Sequence, residues 1–344
     1  MKVWIIIVGL SASLMAGGNV WAAPFSSLYV FGDSLSDTGS SPSSVMSLYK
    51  TLEGNCDLFH PCPPYFEGRI SNGPVAPEYL ATSLGVTGAN FHSYAVAGAT
   101  SGFGNEGDLG NAANSGLLGL PGMKQEVGLY MSGGVADPNA LYFVWGGAND
   151  YLTHDSPIGA AQNIAGYVSE LAGAGARHFL VPNLPDLGLV PYATDTGDVS
   201  NAHAYSLSFN KELETQLGIV NSHFPAADIF QFDTYTFLNG VIQNPGSYGL
   251  TDVTDSCLSV ALIPCGIPFN PLNPDSISPD KHLFWDSFHP TTQADAVIAS
   301  AFASAVPEPE IIAMLIAGLC VLCIANRRRT LEQAPIRTAS LVPQ

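Results

Sequence analysis

Short apolar runs that stop on glycine or proline alternate along this chain with stretches of helical periodicity, and this alternation restricts the fold more than any other feature. Leu28 to Phe31 stops at Gly32, Leu141 to Trp145 at Gly146 and Gly147, and Phe179 to Val181 at Pro182. Phe91 to Val96 and Ile229 to Phe232 are further strand-like segments. Runs apolar at consecutive positions suit strands buried on both faces. Between them, Pro74 to Leu84, Pro157 to Ala172 and Ala202 to Phe224 read as helices, and Thr291 to Ala303 as a last one. Strands alternating with helices predict an α/β fold with a central parallel sheet covered on both faces. Such sheets carry their chemistry beyond the carboxyl ends of the strands. Ser34, Gly98, Asn149 and Pro182 each follow a strand and are therefore expected along one edge. Residues 99–121, rich in Gly, Asn and Ser, and residues 244–281, rich in Pro and Asp, read as loops. With no internal repeat and no linker, residues 23–305 form one expected domain between two removable ends.

The ends are distinctive. Residues 1–22 have the shape of a secretory signal: Lys2, an apolar stretch from Val3 to Leu10, then Val20-Trp21-Ala22, which suits cleavage after Ala22. Near the other end, Val306, Pro307, Glu308 and Pro309 precede an apolar segment, Ile311 to Ala325, and then Arg327, Arg328 and Arg329. That segment is short for a transmembrane helix but workable with snorkelling arginines, which should stay cytoplasmic. Cys56 and Cys62, and Cys257 and Cys265, are near neighbours that suggest two local disulfides in an oxidising compartment, although other pairings remain open. Cys320 and Cys323 sit inside the apolar tail and read as packing residues. Only 12% of residues are charged, and the formal net charge is −18, which sets nucleic acid aside as a partner because phosphate would be repelled.

Ser34 follows Gly32 and Asp33 on what should be a tight turn. A serine hydroxyl is a weak nucleophile until a base takes its proton. His289 can be that base, and Asp286, three residues earlier, can fix its tautomer and stabilise the imidazolium. Attack on a carbonyl creates a negative oxygen that needs positioned donors. The backbone N–H of Ser34, the backbone N–H of Gly98 and the side-chain amide of Asn149 are the candidates. Asp33, Asp37 and Asp150 read as groups that fix the loops around them. Each piece alone is ordinary: a turn serine, or a helix-start aspartate with a structural histidine or a metal pair. Asp195 and Asp198 read as a solvated loop, and His60, His92, His154, His178, His203, His223 and His282 show no metal-ligand spacing. His282 stands out only for its nearness to Asp286.

Together, Phe31-Gly-Asp-Ser-Leu-Ser-Asp-Thr-Gly39, Ala97-Gly-Ala-Thr100, Gly146-Gly-Ala-Asn-Asp150 and Asp286-Ser-Phe-His289 resemble the four blocks of the GDSL/SGNH hydrolase family, over about residues 28–303. Ala97 and Ser93 depart from it, standing where a glycine and an asparagine are frequent. The resemblance implies a flavodoxin-like α/β/α sandwich. It implies Ser34 as nucleophile and oxyanion donor, Gly98 and Asn149 as further donors, and Asp286 and His289 as the base pair. It also implies hydrolysis of carboxylic esters (lipid, aryl or acetyl) through an acyl-enzyme, with no metal or organic cofactor. Tyr65, Phe66, Phe103, Tyr151 and Phe269 are candidates to line an acyl groove. The expected substrate is a small-molecule ester, a lipid or an acylated sugar.

Residues 306–329 resemble the PEP-CTERM sorting signal of Gram-negative bacteria, leaving a short tail at 330–344. That likeness implies export to the cell envelope or beyond, transient or permanent membrane anchoring, and an exosortase-like sorting protease as partner. Two alternatives stay open: acyl transfer to an alcohol or sterol at the same site, and a surface or matrix binding protein on an inactive hydrolase fold.

Overall fold

The computed structural model describes residues 25–39, 60–268 and 270–306. Strands β1 (Leu28–Gly32), β2 (Phe91–Ser93), β3 (Leu141–Trp145), β4 (His178–Pro182) and β5 (Asp228–Phe232) form one sheet in the order β2-β1-β3-β4-β5. All neighbours run parallel, with Leu28 opposite Leu141 and Gly32 opposite Trp145. The chain starts at β1, steps outward to β2, then passes back over β1 to β3 and continues the other way. That reversal leaves a crevice beyond the carboxyl ends of β1 and β3, where open α/β sheets bind their ligands.

Side chains alternate across a strand, so a wholly apolar strand feeds two cores at once. Leu28 and Val30 join Leu141, Phe143, Trp145 and Leu180 on one face. Helices α1 (Ala76–Ser83) and α8 (Thr292–Ala305) cover this face through Leu80, Ile298 and Phe302. Phe31, Tyr142, Val144, Phe179 and Val181 point the other way. They meet α4 (Pro157–Gly173) and α6 (Val199–His223) through Ile164, Val168, Phe209 and Leu213. Between these lie α2 (Met123–Met131), α3 (Ala148–Leu152), α5 (Pro191–Thr196) and α7 (Thr234–Gln243). The helix starts follow local chemistry. Pro157 opens α4 behind Ser156, whose Oγ accepts the Gly159 N–H, and Thr291 caps α8 by accepting the Ala294 N–H.

The sheet and its helical layers agree with the expectation from sequence, and several details differ. The strand expected over 91–96 ends at Ser93, beyond which only Tyr94 and Val96 donate to β1. Helix α6 begins at Val199 rather than Ala202. The loop expected over 244–281 contains β6 (Asp252–Ser256), which pairs in parallel with β7 (His282–Phe284) as a second, two-stranded sheet. Cys257 and Cys265 are joined as expected. Cys62 is also disulfide-bonded, and its expected partner Cys56 lies outside the described residues. The leader at 1–22 and the sorting segment from Pro307 onward also lie outside them. Among the described residues no helix is long and apolar enough to cross a membrane.

Phe302 is fully buried, with the rings of Phe143, Trp145 and Phe232 within 5.5, 5.4 and 4.9 Å. Phe302→Ala should lower the unfolding free energy by about 3–5 kcal/mol. Urea titration would show this as an earlier midpoint at unchanged slope, and a shift worth less than about 1 kcal/mol would contradict the packing described.

Candidate active site

The serine is presented by the end of β1. A Cβ on Gly32 would lie 2.2 Å from the Trp145 carbonyl oxygen, so only glycine lets β1 and β3 approach this closely at their ends. The Gly32 N–H donates to the buried Glu126 carboxyl at 2.9 Å. The next residues close a turn in which Ser36 N–H donates to the Asp33 carbonyl and Leu35 N–H to Asp33 Oδ1, at 3.0 and 3.1 Å. Ser34 stands on that turn with its Oγ 2.8 Å from His289 Nε2.

The histidine arrives from the other end of the chain. After β7, Asp286 Oδ1 accepts the N–H groups of Phe288 and His289 at 2.9 and 2.8 Å. The resulting turn brings the imidazole back onto its own carboxylate, with Nδ1 at 2.8 and 2.9 Å from the two Asp286 oxygens. This is the physical content of the three-residue spacing. The Tyr65 hydroxyl donates to Asp286 Oδ2 at 2.9 Å. Burial alone would push the Asp286 carboxyl up, but His289 and the two backbone donors outweigh it and hold the group at about 2. An ionised Asp286 keeps the proton on Nδ1 and leaves Nε2 free to accept from Ser34.

Gly98 and Asn149 line the same cavity of about 540 Å³ as Ser34 and His289. Gly98 has φ +78, and a Cβ there would lie 2.3 Å from Asn105 Oδ1. Asp37 clasps the two loops, accepting from Gly39 N–H and Ala97 N–H, each at 2.8 Å. Asn149 follows Gly147, which has φ +107, and its Nδ2 donates to the Ala99 carbonyl at 3.0 Å, leaving a second N–H on that amide. Asp150 holds the neighbouring segment through Ser101 N–H at 2.7 Å and Ser101 Oγ at 2.6 Å. Of the three expected loop-fixing acids, Asp33 and Asp37 line the cavity, and Asp150 lies behind it.

Reading from sequence missed two residues, Glu126 and Asn105, and gave a third, Tyr65, a different role. Glu126 supports β1 from α2, Tyr65 holds Asp286, and buried Asn105 ties the Ala97 and Pro121 carbonyls behind Gly98. Glu126 could have been noticed as an acid between the apolar Met123 and Val127; the other two carry no local signal. Of the aromatic candidates, Tyr151 lines the cavity. Phe66 and Phe103 lie instead under Arg69 and Lys124, and Tyr65 serves Asp286. Phe269 lies outside the described residues. The cavity wall is mainly aliphatic, with Leu152, Leu187, Val190 and Ile242 among its members. His282 is fully buried, with Nε2 2.9 Å from Asp275 Oδ2 but off the hydrogen-bonding direction, and Nδ1 4.0 Å from Asp252 Oδ2. It does not reach the cavity lining.

Comparison with known proteins gives two matches to family models: residues 28–302 match a GDSL-like lipase/acylhydrolase, and residues 305–329 match a PEP-CTERM protein-sorting motif. A phosphatidylcholine-sterol acyltransferase of Aeromonas hydrophila is 27% identical, over 88% of this chain and 97% of its own length. A GDSL esterase/lipase of Arabidopsis thaliana is 25% identical, over 84% and 92%. Esterase EstA of Pseudomonas aeruginosa is 31% identical over 84% of this chain, which spans 48% of that longer protein.

Asp33 offers a test of the site's electrostatics. Burial raises its carboxyl to about 6, against the opposing Leu35 N–H and the nearby imidazole. The folded form thus holds the proton more tightly than the unfolded chain, whose carboxyl ionises near 3.8. Stability is unaffected below about pH 4, falls as pH rises towards 6, and stays reduced above. Relative to Asp33→Asn, the wild-type unfolding free energy should drop by about 3 kcal/mol between pH 3 and pH 8. Urea unfolding of both proteins across that range measures this, and a pH-independent difference would refute it.

Proposed function

The chain belongs to the GDSL-like lipase/acylhydrolase family, and from that premise we propose that it is an exported serine esterase that cleaves esters of apolar acids through an acyl-enzyme on Ser34. The observation that carries this reading is the unbroken hydrogen-bond chain from Asp286 through His289 to Ser34, opening on an aliphatic cavity.

In the proposed reaction Ser34 Oγ attacks the ester carbonyl while His289 Nε2 takes its proton. The oxyanion accepts from the Ser34 N–H, the Gly98 N–H and the remaining Asn149 amide N–H. Collapse expels the alcohol, which receives the proton from His289 and leaves the acyl group on Ser34. Water then attacks with the same base, releasing the carboxylic acid and restoring the serine. Asp286 stabilises the imidazolium at both steps. No residue role here calls for a metal or cofactor.

The size and aliphatic wall of the cavity favour lipid-like acyl groups over acetyl groups on sugars. Export is proposed from the signal-like residues 1–22 and the match at 305–329 to a sorting motif, which points to the envelope of a Gram-negative bacterium and an exosortase-type protease. A second reading, transfer of the acyl group to an alcohol or sterol, is favoured by the Aeromonas hydrophila relative. It requires only that an alcohol replace water at deacylation.

Hydrolysis of p-nitrophenyl esters from acetate to palmitate, with sterol added in parallel, tests these readings. Ser34→Ala should lower kcat by at least about 10³-fold, and Asn149→Ala by about 10²–10³-fold. The rate should peak on medium or long chains. Undiminished activity in Ser34→Ala would remove the acyl-enzyme, a maximum at acetate would remove the apolar-acid preference, and steryl ester formation would establish transfer.

A further inference from the structure

The loop that joins β2 to α2 pushes three leucines into solvent beside the cavity. Leu109 and Leu117 are each 81% exposed, and Leu118 is 68% exposed. Scattered exposed leucines are ordinary. These three are held in place from behind. Buried Asp108 accepts Leu118 N–H and Leu120 N–H on Oδ2 at 2.8 and 3.0 Å, and Leu117 N–H on its carbonyl at 2.8 Å. Gly116 packs so closely that a Cβ would meet Asp108 Oδ1 at 2.0 Å. The backbone is pinned while the side chains face outward. Leu109 has φ +66, a conformation that asparagine or glycine adopts at lower cost.

The patch is continuous with the site. Leu118 and Leu120 also line the cavity that holds Ser34 and His289, so an apolar path runs from solvent to the nucleophile. We propose that this loop docks the protein on a neutral lipid surface by inserting Leu109, Leu117 and Leu118, so that an ester passes from the surface into the cavity without crossing water. The proposal rests on the lipid-ester reading above. Charge selects the surface: the chain carries a net −18, and Glu106 is exposed next to the patch, so anionic headgroups would be repelled. Lys124, the nearby cation, is engaged over the Phe103 ring at 4.2 Å.

Two measurements on the full chain test this. In a Ser34→Ala background, which keeps the lipid intact, Leu117→Trp should give blue-shifted emission that brominated phosphatidylcholine vesicles quench. The Ser34→Ala parent supplies the baseline for the chain's own four tryptophans, of which Trp145 and Trp285 are buried. Replacing part of the lipid with phosphatidylserine should weaken the quenching. Separately, Leu109→Asn combined with Leu117→Ser should lower hydrolysis of vesicular phosphatidylcholine by at least about tenfold, since two apolar insertions are lost. Hydrolysis of dissolved p-nitrophenyl butyrate should change less than about twofold, because neither residue touches the cavity. Leu109→Asn suits the local φ, so the fold should survive it. No quenching at position 117, equal losses on both substrates, or a dimer in sedimentation that Leu117→Ser dissociates would overturn the proposal. Failure of the protein with Ser34 intact to hydrolyse any ester would reject the esterase reading, and the quenching measurement, which needs no turnover, would still decide the docking.

Discussion

The 2.8 Å contact between Ser34 Oγ and His289 Nε2 joins residues 255 positions apart, and most of the architecture bears on that distance. Ser34 is fixed by β1, second from the edge of the sheet. His289 is fixed by the turn between β7 and α8, and α8 packs on the same sheet through Ile298 and Phe302. The two halves therefore share one rigid reference, the apolar face made by Leu28, Val30 and Phe143. The small second sheet adds a buttress on the other side of the turn. Cys257 N–H donates to the Phe284 carbonyl at 3.1 Å, and Leu258 N–H to the Trp285 carbonyl at 2.7 Å. An ångström of drift in either half would lengthen the contact beyond hydrogen-bond reach.

The turn that carries Ser34 is held from below by carboxyl groups that the fold buries at a cost. Glu126 takes the Gly32 N–H, Asp37 ties the turn to Ala97, and Asp150 secures Ser101 behind Asn149. Burial raises Glu126 well above the usual carboxylate range and Asp150 to about 7. Aliphatic side chains at these positions would be cheaper to bury, but they could not accept from backbone N–H groups that end a strand facing a cavity. The stability lost is the counterpart of a fixed Ser34 turn and fixed loops around Gly98 and Asn149.

How much of this could be read from the sequence depended on whether the signal was local. Leu141–Trp145 is apolar at every position because both of its faces are buried, so it reads as a strand without ambiguity. Ser34, Gly98, Asn149 and the Asp286–His289 pair sit in short segments whose chemistry is visible one segment at a time. β6 was missed because Asp252–Ser256 is polar and partly exposed, and its partner β7 has only three residues. α2 was hidden by Gly128 and by the polar Lys124, Gln125 and Glu126 within its nine residues. Tyr65 and Asn105 act on partners chosen by the fold, and type alone misled for Phe66 and Phe103, whose rings lie under cations rather than along the cavity.

Asp33 and Asp286 show how the site sorts charge. Burial is the largest influence on both, yet one carboxyl rises to about 6 and the other falls to about 2. The difference is donors: Asp286 receives the imidazole, two backbone N–H groups and the Tyr65 hydroxyl, whereas Asp33 Oδ1 receives Leu35 N–H and its Oδ2 has no partner. Below about pH 6 Asp33 thus holds its proton while Asp286 stays ionised beside His289. The aliphatic wall lies beside them, so a charged hydrogen-bond chain and apolar surface share one crevice.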